Sequence, residues 1–112
     1  MGEEIAVTRS SGNVYAALGF PNAEEELAKA EIVRQINAIL RERRLTQAKA
    51  GEVLRISQPK VSALLRGHTE GYSIERLLRF LLLLDRDVEI LVKPRDRSTP
   101  YGQITVAVMS TS

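Results

Sequence analysis

The feature of this sequence that most restricts its fold is a pair of short helical segments between residues 46 and 66, each with its own start signal. Thr46 and Ser57 are N-cap residue types, and three residues separate the end of the first segment from the start of the second. Pro59 lies in the first turn of the second segment, where its missing N–H costs nothing, and Gly67 follows its end. The pattern predicts a helix over 47–54, a tight turn, and a helix over 58–66.

The second of these helices has an outward face that suits contact with a duplex. At about 100° per residue, Val61, Leu64 and Leu65 point together toward a core. The opposite face carries Pro59, Ala63 and Arg66, flanked by Lys60 and Ser62, with Gln58 at the N-terminal end. Such a face fits a major groove about 12 Å wide, where Gln pairs with adenine and Pro or Ala touches a thymine methyl group.

Positive charge is concentrated in the same part of the chain. Residues 41–68 hold seven bases and two acids, a net charge of +5, whereas residues 1–31 hold six acids and two bases, a net charge of −4. We expect Lys60 and Arg66 to contact phosphates, with Gln47 adding its side chain and backbone N–H at a helix N-terminus. The charge alone fits an ordinary solvated helical surface equally well.

The rest of the chain divides into an N-terminal arm over 1–22, a helical domain over 23–87 and a C-terminal segment over 88–112. Within the arm we expect a short helix at Val14–Leu18, and a strand or ordered arm at Ile5–Thr8. Apolar residues at helical spacing predict helices over 23–44 and 74–84. Alternation predicts a strand at Val88–Val92, and a second strand at Gln103–Val108 is an option.

The last helix is more apolar than one core face requires. Ile74, Leu77, Leu78 and Leu81 form one stripe, and further apolar residues widen it. We therefore expect a homodimer through the last helix and the following strand, with contacts from Phe80, Leu83, Leu84, Val88, Ile90 and Val92. The alternative is that a strand at 103–108 covers the 88–92 strand within one chain.

Several classes of function lack the residues they need. The chain has no Cys and a single His, His68, so disulfides, thiolate metal sites and a Cys nucleophile are excluded, and we expect no metal, no cofactor and no enzymatic activity. The acidic, polar N-terminus does not resemble a signal peptide. The apolar run Leu77–Leu84 is far short of the roughly 20 residues that span a bilayer, so we expect a cytoplasmic protein without membrane contact.

The motif residues resemble the Cro/repressor-like (XRE) helix-turn-helix family. The resemblance lies in Leu45–Ala48, Val53–Leu54 and Gln58–Gly67; with Ser10–Val14, Ser73–Leu81 and Asp87–Ile90 it extends to a HigA-like antitoxin subgroup. It implies a mainly α, lambda-repressor-like five-helix domain, here with a C-terminal β-strand or hairpin, that binds a near-palindromic operator as a dimer. It also implies that Gln58, Pro59 and Ser62 face the groove, joined by Ala63, and that Thr46, Gln47, Ser57 and Lys60 support phosphate contacts.

The sequence departs from the family pattern at two positions. Gly51 stands where the family usually has Ala, at a cost of about 0.5–1 kcal/mol of helix stability. Arg55 stands in the turn where the family usually has Gly, so a positive φ there would be mildly strained.

The leading hypothesis is a repressor that is also the antitoxin of a small basic RelE/HigB-like toxin. The alternatives are a stand-alone XRE transcription factor without a toxin, and a protein-interaction module that has lost DNA binding. The antitoxin hypothesis predicts an adjacent reading frame that encodes a small basic protein, and its absence would favour the stand-alone transcription factor.

Overall fold

The computed structural model of the chain describes residues 5–7 and 23–109, and this part is mainly helical. Its elements are β1 (Ile5–Val7), α1 (Ala23–Glu42), α2 (Gln47–Leu54), α3 (Gln58–Leu65), α4 (Ile74–Leu83) and β2 (Ala107–Met109). The short helix expected at Val14–Leu18 lies outside the described residues, so the five-helix count stays a prediction.

The helices begin where the sequence predicted, because three polar side chains cap them in the same way. Thr46, Ser57 and Ser73 have extended backbones, and each hydroxyl accepts a hydrogen bond from the backbone N–H three residues later, at 3.1, 3.4 and 3.1 Å. Each cap satisfies one of the N–H groups that have no partner within the helix. The boundaries of α2, Gln47–Leu54, match the prediction in full.

α1, α3 and α4 end one or two residues earlier than predicted, and all four helices end in a shared backbone motif. After α1, α2, α3 and α4 the chain takes one residue with positive φ: Arg44 (55°), Arg55 (63°), Gly67 (96°) and Asp85 (63°). In each case the next N–H donates to a carbonyl five residues back, as in the bond from Leu45 to Leu40. Only one of the four positions is Gly, the residue that adopts this conformation without strain.

The core of the unit formed by residues 29–91 is built from aliphatic side chains. The largest completely buried ones are Ile32, Ile36, Leu54, Val61, Leu64, Leu77 and Leu84. Full burial of each such side chain contributes about 1.5–3 kcal/mol, so these contacts supply most of the energy that fixes the helices in place.

The C-terminal ends of α1 and α4 are joined directly. The guanidinium of Arg43 donates to the carbonyl oxygen of Leu84 at 3.3 Å, and Arg86 forms a 3.0 Å ion pair with Glu42. The first bond satisfies a carbonyl at a helix end. The second is exposed and therefore contributes little to stability.

The strand expected at Val88–Val92 is not formed, and residues 86–106 contain no helix or strand. Of the second optional strand, only residues 107 and 108 lie in β2. β2 pairs antiparallel with β1, with Ile5 opposite Met109 and Val7 opposite Ala107. The alternative in which residues 103–108 cover residues 88–92 is therefore wrong, because the partner of β2 is β1.

Candidate nucleic-acid interface

The turn between α2 and α3 depends on Gly51, at which the backbone of the turn approaches α2 closely. A Cβ added at this position would lie 2.7 Å from the carbonyl oxygen of Ile56, well inside ordinary contact. The carbonyl of Gly51 also accepts the hydrogen bonds from the N–H groups of Arg55 and Ile56. The small residue at 51 is thus a requirement of the turn, and its low helix propensity is the cost.

Arg55 has a positive φ, the conformation in which we expected mild strain at this position. Its backbone lies at φ 63°, ψ 39°, the left-handed region. That conformation brings its Cβ close to the following carbonyl and is unfavourable for residues other than Gly. The side chain itself is exposed, so its charge stays in solvent.

α3 presents part of the predicted face to solvent. Val61 and Leu64 are completely buried and fix the helix against the core. Gln58, Pro59 and Lys60 are exposed, and Leu65, which we placed on the inward side, is only half-buried. Ser62 and Ala63, which we placed on the flank and on the outward side, are also half-buried. Polar and apolar contact groups thus lie side by side at the N-terminal end of α3.

The side chains proposed for phosphate contact lie at the helix N-termini or just past the end of α3. The side-chain oxygens of Thr46 and Ser57 are engaged as caps, and each hydroxyl keeps its own O–H to donate. Gln47 is exposed at the start of α2. Arg66 was predicted inside α3, but it is the C-cap residue, with φ −87° and ψ 2°, because the helix ends at Leu65.

The electrostatics of this region favour an anion. All seven bases between residues 41 and 66 are exposed. Lys49 pairs with Glu52 at 3.5 Å, and both side chains are 69% exposed, so that pair is weak. Within the described residues, Lys60 and Arg66 form no ion pair. Their charge is therefore available to a phosphate backbone.

Comparison with known proteins agrees with this geometry. A family model described as a helix-turn-helix domain matches residues 14–93. A solved structure named "Putative XRE Family Transcriptional Regulator" is 44% identical to this chain, with a TM-score of 0.70, and the match covers 77% of this chain and 97% of that one. The chain belongs to the XRE helix-turn-helix family. No curated protein sequence matches it.

As an XRE helix-turn-helix protein, the chain is a DNA-binding regulator. α2 and α3 are the two helices of the motif. Gly51 and Arg55 shape the turn of this motif: the first residue makes room for the turn, and the second adopts a left-handed conformation.

The residues proposed for the dimer interface divide into two groups. Phe80 and Leu84 are 3% and 0% exposed, so they belong to the core and are not available to a partner. They lie in phase with Leu77 and Leu81 at the spacing of one helical face, which makes that row the inward stripe of α4. Leu83 and Val88 are half-buried. Ile90 and Val92 are 79% and 89% exposed, and Leu91 and Leu82, which the sequence reasoning did not select, are 78% and 53% exposed.

Arg76 is an exposed cation that the sequence analysis did not single out. The guanidinium of Arg76, in the first turn of α4, lies 4.9 Å from the ring centre of Tyr72 and 5.8 Å from that of Phe80. The stacking holds the guanidinium in one orientation while its N–H groups stay exposed. The sequence indicates this stacking through two aromatic residues, Tyr72 and Phe80, which lie four residues before and four residues after Arg76.

No helix in the described part of the chain is long and apolar enough to cross a bilayer. The same residues hold no group of three or more His, Asp or Glu side chains that could bind a metal ion.

Proposed function

We propose that this XRE protein represses transcription by binding a near-palindromic operator as a homodimer, with α3 in the major groove. The observation that carries the proposal is the two-sided character of α3. Val61 and Leu64 are 0% exposed, whereas Gln58 and Pro59 stand in solvent on the other side. A helix anchored in this way presents a rigid surface to base edges, and rigidity limits the entropy lost on binding.

Base recognition falls to four residues of α3. The amide of Gln58 can bind adenine in the bidentate geometry, with its N–H donating to N7 and its oxygen accepting from the N6 amino group, and Ser62 can donate or accept at either purine. Pro59 and Ala63 offer apolar contact to a thymine methyl group. Their small size allows the helix backbone to come close to the groove floor.

Phosphate contacts position this helix. Lys60 and Arg66 supply charge on the two sides of the base-reading surface, and Gln47 brings a side-chain amide to the N-terminus of α2. The hydroxyls of Thr46 and Ser57 donate from the same helix ends. These contacts carry no sequence information, but they make binding depend strongly on salt.

A two-fold dimer places two such helices one DNA turn apart, about 34 Å, which is why the operator should be near-palindromic. Of the residues first selected for the dimer interface, Leu83, Val88, Ile90 and Val92 remain candidates, since their side chains are at least partly exposed.

We further propose that the protein is a HigA-like antitoxin whose partner is a small basic RelE/HigB-like toxin. This rests on the resemblance of the segments flanking the motif. The test is to co-express the chain with the product of a neighbouring small basic reading frame and to measure growth and complex formation. Neutralised toxicity with a stable complex supports the antitoxin; a stand-alone regulator has no such neighbour.

DNA binding is tested by selecting duplexes from a random pool with the full chain, then titrating the selected duplex at two salt concentrations. We expect inverted half-sites and an affinity that falls by orders of magnitude between about 50 and 200 mM salt. A selected pool without sequence enrichment would favour an interaction module that no longer reads DNA.

A further inference from the structure

The segment from Asp87 to Lys93 has the sequence of a strand but lacks a strand's partner. Val88, Ile90 and Val92 alternate with other residues, and the last two are 79% and 89% exposed. Within the described residues, no hydrogen bond is formed by the backbone of residues 87–93. Branched apolar side chains and unpaired N–H and C=O groups together are the properties of an edge that pairs with another chain.

We propose that this segment pairs antiparallel with the same segment of a second copy of the chain, with Ile90 on the two-fold axis. The inference rests on the homodimer of the proposed function and specifies how it is held together. In this arrangement both copies use one patch, as a closed two-fold dimer requires.

Charge favours self-pairing in the antiparallel direction. Asp87 and Glu89 lie in the first half of the segment, whereas Lys93 and Arg95 lie at or beyond its end. Antiparallel pairing places the acidic half of one copy opposite the basic half of the other. Parallel pairing would place like charges side by side, which destabilises a sheet.

The register follows from the individual pairs. With Ile90 opposite Ile90 of the second copy, Val88 lies opposite Val92 and Asp87 opposite Lys93, so the exposed apolar side chains of both copies pack side by side on one face. A pairing centred on Glu89 would oppose two carboxylates. A pairing centred on Leu91 would set Val88 against Pro94, which has no N–H to extend the ladder.

Single cysteines test this register cleanly, because the chain has no Cys of its own. Directly opposed residues of an antiparallel pair have Cα atoms about 4.5–5.5 Å apart, within disulfide range. Ile90→Cys should therefore form a covalent dimer on mild oxidation. Leu91→Cys should not, since the two copies of residue 91 are offset along the strands and lie roughly 8 Å apart.

A mixture of Glu89→Cys and Leu91→Cys chains completes the register test. One of the two variants carries a tag, so that the heterodimer differs in size from both homodimers. Residues 89 and 91 face each other in the proposed pairing, so the mixture should give a heterodimer, while neither variant alone should cross-link. The proposal is overturned if Ile90→Cys cross-links no faster than Leu91→Cys, or if the disulfides report another register or another protein surface.

Charge exchange provides a second measurement on the uncross-linked protein. Asp87→Lys should weaken dimerisation about tenfold in analytical ultracentrifugation, because two like-charged pairs replace two opposite ones, and Asp87→Lys with Lys93→Asp should restore it. Failure of the double variant to recover would contradict the pairing. DNA titration of the cross-linked Ile90→Cys dimer tests the two proposals separately. If the disulfides report the expected register but the dimer does not bind DNA sequence-specifically, the proposed regulatory function is wrong and the proposed strand pairing is not.

Discussion

Replacing Gly51 by Ala should destabilise the protein, although Ala is the better helix former. In an exposed helical position the change would stabilise by about 1 kcal/mol. Here the new Cβ would meet the Ile56 carbonyl oxygen at 2.7 Å, whereas ordinary contact begins at 3.4 Å. The neighbouring atom belongs to the backbone of the turn, so it cannot rotate away as a side chain would.

The magnitude follows from these two opposing effects. Overpacking of this kind costs about 1–3 kcal/mol, so the net loss for Gly51→Ala is about 1 kcal/mol. For a domain of this size that corresponds to a fall in Tm of about 4–8 °C. The measurement is unfolding by heat and by urea, followed by circular dichroism, with the expectation of a lower midpoint at unchanged m-value.

Two control variants separate the effects. Ala48→Gly, at an exposed position of the same helix, measures the propensity difference without a clash. Gly102→Ala adds a methyl group where nothing lies within 4 Å, and it should leave stability nearly unchanged. A rise in Tm for Gly51→Ala would show that the turn does not press on α2 as described.

Three further changes have expected outcomes of their own. Arg55→Gly should raise stability in urea by about 0.5–1 kcal/mol by removing a non-glycine residue from a positive φ, while Arg55→Ala, which removes the same charge, should not. Ser73→Ala should cost about 1 kcal/mol of unfolding free energy, because it removes the cap of α4, and Ser73→Asp should recover most of it. Lys60→Gln should weaken binding to all duplexes alike and lower the slope of log affinity against log salt by about 0.9; an unchanged slope would mean that Lys60 touches no phosphate.

The starts of α2, α3 and α4 could be predicted because they depend on local chemistry. Thr46, Ser57 and Ser73 each act on an N–H three residues away, and nothing distant alters that bond. The orientation of α3 could be predicted in part: the phase of Val61 and Leu64 follows from the helical period, whereas Leu65 was expected on the inward side and is half-buried. These two inferences were enough to locate the candidate site.

The other features depend on contacts that a local pattern does not contain. Arg44 and Asp85 end helices in a conformation that the sequence marks only when Gly is present. The inward row of α4 also runs through Phe80 and Leu84, which we had assigned to a dimer interface, because apolar residues at most positions after Arg76 leave the phase of the helix open. The strand β1 finds its partner about a hundred residues away, and the segment at Val88–Val92 finds none within the described residues, although its alternation predicts a strand.

The most direct test of the account is a titration of Gln58→Ala against the selected operator and against variants changed at one base pair. If α3 reads bases as described, the variant loses about 1–3 kcal/mol of binding free energy and becomes indifferent to one position in each half-site. Gln35→Ala, which removes the same side chain from α1, should bind like the unaltered protein. Equal affinities for Gln58→Ala and the unaltered chain, with the same base preferences, would contradict the assignment of α3 as the reading surface.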